Sequence, residues 1–178
     1  MYPPAEDSYF LTEKVEIYIS KLKNKKIKVL DMGSGSGTLA ETCINSRIPP
    51  EKMTLVDIDK EVVSHLRKKF PKSKVVESNL FSHLKEKFDL IIFNPPYLPE
   101  GKYDKEKDTT GGKNGDEIIL RFLKKAKKYL NTNGEILLLT SSLTPMKKIN
   151  KELKTYKVKL IAAKKLFFEE LRIWLISA

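Results

Sequence analysis

Cysteine and histidine are nearly absent from this chain: one cysteine, Cys43, and two histidines, His65 and His83, among 178 residues. An intramolecular disulfide and any Cys-based zinc site are excluded, and a His-ligated metal or His-centred triad has too few donors. No metal site is therefore expected. Long apolar runs are also missing, and those present are far too short to span a bilayer. The opening Met-Tyr-Pro-Pro-Ala-Glu-Asp-Ser has neither a basic n-region nor an apolar h-region, so no secretory signal is expected and the cytoplasm is the default. Repeats, low-complexity tracts and shifts of composition are absent as well. One domain over residues 1–178 is expected, large enough to bury a core unaided.

Lysine is abundant. The formal net charge is +11, with 34 Lys and Arg against 23 Asp and Glu. Such a surface steers acidic partners, nucleic acid included. The lysines are scattered over nearly every segment, however, and many fall on the polar side of amphipathic helices. A general lysine bias takes precedence over a dedicated nucleic-acid patch, and nucleic acid stays as an alternative partner.

Apolar periodicity predicts a helix over residues 8–22 and a strand over 27–30. A glycine-rich turn follows, then a helix over 38–46, a strand over 53–56, a helix over 60–70 and a short strand at Val75-Val76. Phe88 to Phe93 reads as a buried strand, and 98–114 as a long polar loop, a length more often functional than passive. A strong amphipathic helix over 117–130, a strand over 135–140, a helix over 145–153 and two terminal strands, 158–166 and 172–177, complete the chain. Strands alternating with helices predict an α/β, Rossmann-like fold: a seven-stranded, mostly parallel sheet with helices on both faces. With no helix between the last two strands, they should close the sheet as an antiparallel hairpin.

Two motifs carry chemistry. After the first strand comes Asp31-Met32-Gly33-Ser34-Gly35-Ser36-Gly37. Glycine permits the tight turn and close approach of a ligand to the backbone, and the helix N-terminus beyond favours a carboxylate or phosphate. The competing reading is plain helix–strand packing. Asp57 ends the next strand, where an acid can accept both hydroxyls of a ribose. An adenosine-containing cofactor follows, either NAD or S-adenosylmethionine. The spacing Gly-x-Gly-x-Gly and the acid Asp31, well placed for an ammonium and badly for a pyrophosphate, favour the second.

The other motif is Asn94-Pro95-Pro96-Tyr97, directly after Phe88–Phe93. Neither proline supplies an N–H and both fix φ, so the strand must stop in a stiff turn. The carbonyls around it are left to accept, and such a turn can grip a planar NH2 group while Tyr97 covers one face. A sulfonium methyl donor explains an amino-gripping turn; a nicotinamide does not. An ordinary loop is the plain alternative.

With these residues assembled, the chain closely resembles the class I methyltransferases, and within them the HemK-like protein-glutamine N5-methyltransferases. Tyr2-Pro3-Pro4-Ala5-Glu6-Asp7-Ser8 is similar to the opening of the archaeal and eukaryotic branch, and Gly111-Gly112-Lys113-Asn114-Gly115 to its segment after the Asn-Pro-Pro-Tyr turn. The resemblance implies S-adenosylmethionine as cofactor and the Gly-Gly-Gln glutamine of a translation release factor as substrate. It implies that Ser8, Asp31 and Gly33 meet the methionine end, with residues 1–25 completing the cofactor site, and that Asp57 binds the ribose. Asn79 and Leu80 lie beside the adenine; Asn79 stands where the family usually has Asp, and could equally be a turn residue. Asn94 contacts both cofactor and substrate amide. A small zinc-binding activator subunit, pairing with an edge strand near Lys74 to Glu77, is also implied.

The chemistry expected of the turn is positional. Asn94 and the Pro95 carbonyl accept both protons of an amide nitrogen and hold it in line with the methyl. The exocyclic amine of adenine, in RNA or DNA, is equally planar and suits the same turn, with Tyr97 stacking a flipped base. Lysine methylation, or a silent scaffold subunit, are the remaining alternatives.

Overall fold

The computed structural model describes residues 6–97 and 115–178. The opening Tyr2-Pro3-Pro4-Ala5, the loop 98–114 and Gly111 to Asn114 lie outside the described residues.

The elements follow in order: α1 (Glu6–Lys21), β1 (Val29–Met32), α2 (Thr38–Asn45), β2 (Met53–Asp57), α3 (Lys60–Lys69), β3 (Lys74–Glu77), β4 (Phe88–Phe93), α4 (Glu117–Ala126), β5 (Leu130–Ser141), α5 (Met146–Leu153), β6 (Lys157–Lys165) and β7 (Glu170–Ser177). Short 3-10 turns, Pro50–Lys52 and Lys127–Tyr129, precede β2 and β5. The sheet order is β3-β2-β1-β4-β5-β7-β6. β1 to β5 pair in parallel, and β7 runs antiparallel to both β5 and β6. This is the expected seven-stranded sheet closed by a hairpin. Position in it follows apolarity: β7 carries buried Leu171, Ile173 and Ile176 and takes the inner place, while the lysine-rich β6 is exposed along nearly its whole length.

Strand alternation divides the core in two. Val29, Leu55, Leu90, Ile92 and Leu137 point to α1 and α2, joining Leu11, Val15, Ile19, Ala40 and Cys43. Leu30, Val56, Ile91, Phe93 and Leu138 point the other way, to Phe122, Leu123 and Ile149 of α4 and α5. Among the described residues no helix is long and apolar enough to cross a membrane.

Several boundaries differ from expectation, among them those of β1, the end of α4 and the start of β5. β1 runs to Met32, so Asp31 belongs to the strand, paired level with Leu55 and Ile92. The α-helix predicted to reach residue 130 ends at Ala126. The Tyr156 hydroxyl enters its last turn, accepting from the Lys127 N–H at 3.1 Å and donating to the Leu123 carbonyl at 2.5 Å. Those two groups are the pair that the next i→i−4 bond would have joined. Leu130 instead begins β5 opposite Phe88.

Candidate active site

At the carboxyl ends of β1, β2 and β4 lies a cleft of about 320 Å³, the position at which open α/β sheets bind ligands. Ser8, Gly33, Gly35, Asp57, Asn79, Leu80, Asn94, Pro95, Pro96 and Tyr97 all line it. Asp31 and Gly37 do not. The two differ from the sequence expectation for separate reasons.

Gly37 is a packing position. Its φ is +78°, and a Cβ there would stand 2.5 Å from the Phe70 ring and 2.9 Å from Leu66. Gly35 behaves in the opposite way. A Cβ on it would meet nothing within 4 Å, and its N–H donates to Asp57 Oδ2 at 2.9 Å. The turn therefore keeps a bare backbone toward the cleft and a tight joint behind it. Gly37 caps α2 with no side-chain hydrogen bond, so the first N–H groups of that helix are unclaimed by a cap, beside the lining residues Thr38 and Leu39.

Asp31 is fully buried behind the turn, and neither carboxylate oxygen has a hydrogen-bond partner. Burial pushes its pKa up to about 7; the nearby Ser34 hydroxyl and Ala40 N–H offset this in part, and the Asp57 charge adds to it. Desolvation of a carboxylate is the governing effect.

Asp57 is held at both oxygens, by the Gly35 N–H and by the Asp59 N–H at 3.0 Å. Next to it Ile58 is 64% exposed at the cleft wall. Ile58 is not among the residues expected from the sequence, although an apolar residue after a strand-end acid is a usable signal. The Asn79 side-chain oxygen accepts from the Arg121 guanidinium at 2.8 Å, leaving its NH2 toward other partners. Arg121 comes from α4 and carries no sequence signal, since it sits among the polar residues of an amphipathic helix.

Asn94 is the centre of the arrangement. Its NH2 donates to Asp7 Oδ2 at 3.2 Å and, more weakly, to Ser8 Oγ at 3.4 Å. These two bonds orient the amide, and its oxygen is buried without a partner. A buried acceptor left unmatched costs about 1–3 kcal/mol, a cost a ligand N–H recovers. Tyr97 is half-buried and packs against both cores. Among the described residues, the charged ones lining the cleft are Asp7, Asp57, Asp59 and Arg121. In a chain of net charge +11, these described lining residues are acidic on balance and suit a cationic ligand.

The residues present fit S-adenosylmethionine. The acids Asp7, Asp57 and Asp59, the orphan oxygen of Asn94, the bare backbone at Gly35 and the uncapped α2 answer, in turn, to a cation, a donor, close approach and a carboxylate. No His, Cys, Asp and Glu cluster able to hold a metal occurs among the described residues. Sheet order and cleft together define a Rossmann-like α/β protein with its ligand site at the carboxyl ends of the parallel strands.

The model of the methyltransferase small domain family matches residues 13–168. The chain is 36% identical to a Methanocaldococcus jannaschii protein provisionally named a protein N5-glutamine methyltransferase, over 97% of this chain and 89% of the relative. It is 31% identical to the Homo sapiens methyltransferase HEMK2, over 87% of this chain and 78% of that protein. The structure of the Mtq2-Trm112 complex from E. cuniculi, described as responsible for methylating the eRF1 termination factor, superposes with a TM-score of 0.76 at 23% identity, covering 99% of this chain and 97% of that one. The chain belongs to the methyltransferase small domain family and, within it, to the HemK-like methyltransferases.

Proposed function

We propose that this enzyme methylates the side-chain amide nitrogen of the glutamine in the Gly-Gly-Gln motif of a translation release factor. The observation that carries the reading is the buried, unpartnered oxygen of Asn94, with its NH2 tied to Asp7 and Ser8. The names of the relatives in Methanocaldococcus jannaschii and Rhodopirellula baltica, a protein N5-glutamine and a release factor glutamine methyltransferase, support it.

In this reading the Gly33–Gly37 turn, the start of α2 and Ser8 hold the amino-acid end of S-adenosylmethionine, with Asp31 acting from behind the turn. Asp57 takes the ribose, and Ile58, Asn79 and Leu80 surround the adenine. The cofactor supplies an electrophilic methyl group on a sulfonium sulfur. An amide nitrogen is a poor nucleophile, because its lone pair is delocalised. Asn94 Oδ1 and the Pro95 carbonyl accept hydrogen bonds from its two N–H groups and fix its direction, and one of those protons leaves once the methyl has been transferred. As the nitrogen becomes cationic in the transition state both bonds strengthen, so the same contacts that position it also stabilise it. Pro96 stiffens the turn, and Tyr97 flanks the glutamine stem.

Residues 1–178 act as one catalytic domain in the cytoplasm, with residues 1–25 completing the cofactor site. A small zinc-binding subunit pairs with β3. In support, β3 is an edge strand reading Lys-Val-Val-Glu, while the opposite edge, β6, is blunted by Lys157, Lys159, Lys164 and Lys165.

Labelled methyl transfer tests the substrate. A purified release factor should take label, and the same factor with its Gly-Gly-Gln glutamine replaced should not. Label on RNA, with none on the factor, would overturn the reading in favour of an adenine amine.

A further inference from the structure

Phe167 and Phe168, at the tip of the hairpin joining β6 to β7, are 91% and 85% exposed. Their rings stand edge to face with centroids 4.6 Å apart, so each stiffens the other while neither enters the core. Two adjacent phenylalanines held in solvent are an expensive use of surface unless something covers them.

Their place in the fold is specific. β7 is antiparallel to β5, with Ser141 opposite Leu171, so the hairpin tip lies beyond the carboxyl end of β5. That is the edge of the sheet that carries the Asn94 turn. Ser141 donates to the Glu169 carboxylate, and the Ser142 N–H donates to the Glu170 carbonyl at 2.8 Å. These bonds anchor the tip beside Leu143, itself 47% exposed. On the other side Lys164 of β6 bridges to Glu6 at 3.0 Å. Glu6 opens the helical turn whose next two residues, Asp7 and Ser8, hold Asn94. The exposed Tyr9 follows them, three positions from Glu6 and hence on its side of α1. Tyr9, Leu143, Phe167 and Phe168 thus all stand exposed at the end of the sheet that carries the cleft.

Charge decides what fits there. Lys164 is bridged to Glu6, Arg172 donates to Glu170 at 2.7 Å, and Glu169 is bound to Ser141. Of the three basic groups nearest the tip, Lys164 and Arg172 are paired within the chain and Lys165 is not, and the described residues of the neighbouring cleft are acidic on balance. A phosphate backbone or an anionic lipid surface finds little to bind. An apolar polypeptide segment finds both the rings and the cleft.

We infer that Phe167 and Phe168, with Leu143 and Tyr9, are the docking platform for the polypeptide substrate, seating an apolar segment outside the methylated residue while that residue enters the Asn94 turn. The inference rests on the protein-substrate reading above. The platform contributes to substrate affinity and stays out of the chemical step.

The test is the double variant Phe167→Ser and Phe168→Ser in the full chain, assayed on an intact release factor and on a nonapeptide carrying Gly-Gly-Gln. For the factor, KM should rise tenfold or more at unchanged kcat. For the nonapeptide, made with only polar residues around Gly-Gly-Gln, neither constant should move. The melting temperature should hold, since both side chains are solvent-exposed, and leucine at both positions should restore much of the affinity. An unchanged KM for the factor, with the wild type active on it, would overturn this inference alone. A wild type that transfers no methyl to the factor would overturn the substrate reading and the platform together. A loss of RNA methylation in the double variant would assign the rings to base stacking instead.

Discussion

Asp7 and Asn94, 87 positions apart in the chain, meet in a hydrogen bond of 3.2 Å between the Asn94 NH2 and Asp7 Oδ2. The bond assigns the two ends of the Asn94 amide. The NH2 faces α1, and the oxygen is left to accept from a ligand.

Removing the acceptor should separate chemistry from binding. Asn94→Ala should bind S-adenosylmethionine within a few-fold of wild type by calorimetry and lose methyl transfer by about a thousandfold, a typical loss for a preorganised transition-state contact. Asp7→Ala should leave the acceptor in place but unoriented. Its kcat should fall by about ten- to a hundredfold, in line with one or two lost hydrogen bonds to a charged group. Full activity in Asn94→Ala would remove the residue from the mechanism.

Asp57 is held by the Gly35 and Asp59 N–H groups. Asp57→Ala should therefore raise the cofactor dissociation constant by about ten- to a hundredfold, as expected for charge-assisted bonds worth about 1.5–3 kcal/mol. An unchanged constant in calorimetry would exclude Asp57 from the ribose site.

The two glycines Gly35 and Gly37, both ahead of α2, should respond in opposite ways. Gly37→Ala drives a methyl into Phe70 and Leu66 at positive φ, and should cost about 2 kcal/mol or more, seen as a lower Tm. Gly35→Ala meets open space. It should cost about 1 kcal/mol for its φ and show its main effect as weaker cofactor binding.

Burial of Asp31 makes a pH prediction. Its pKa in the folded chain is about 7, raised from 3.8, so the folded state holds a proton that the unfolded state releases. Stability therefore falls as pH rises through this window, by a few kcal/mol at most. The Tm of the cofactor-free protein should drop from about pH 4 to about pH 7 more steeply than that of Asp31→Asn. Cofactor affinity should rise over the same range, because the cation prefers the ionised carboxylate. Parallel Tm profiles for the two proteins would refute this.

The Arg121–Asn79 bond of 2.8 Å crosses from α4 to the turn after β3. Arg121→Ala should weaken cofactor binding about fivefold by releasing Asn79, roughly the value of one net hydrogen bond. Asn79→Asp should create an ion pair and raise the Tm slightly. Calorimetry and melting curves separate the two effects.

Much of the fold is legible in the amino-acid sequence. Period-2 and period-3.6 patterns locate the strands and helices, and the lack of a helix between β6 and β7 requires the hairpin. Asn94-Pro95-Pro96-Tyr97 and the Gly33–Gly37 turn stand out because proline and glycine restrict or relax the backbone locally, whatever surrounds them. Asp57 is legible as the acid at a strand end. Each of these is a short-range consequence of covalent geometry and hydrophobic alternation.

Tertiary structure alone decides the rest. That Asp31 stands behind the turn, that Gly37 packs on Phe70, and that Arg121 occupies the Asn79 oxygen depend on residues distant in sequence converging in space. The orientation of Asn94 depends on Asp7 in the same way. So does the setting of Phe167 and Phe168, which the strand order carries to the end of the sheet that holds the cleft. Local sequence determines which groups can accept, donate or turn; only packing determines which of them are already taken and which are left for a ligand.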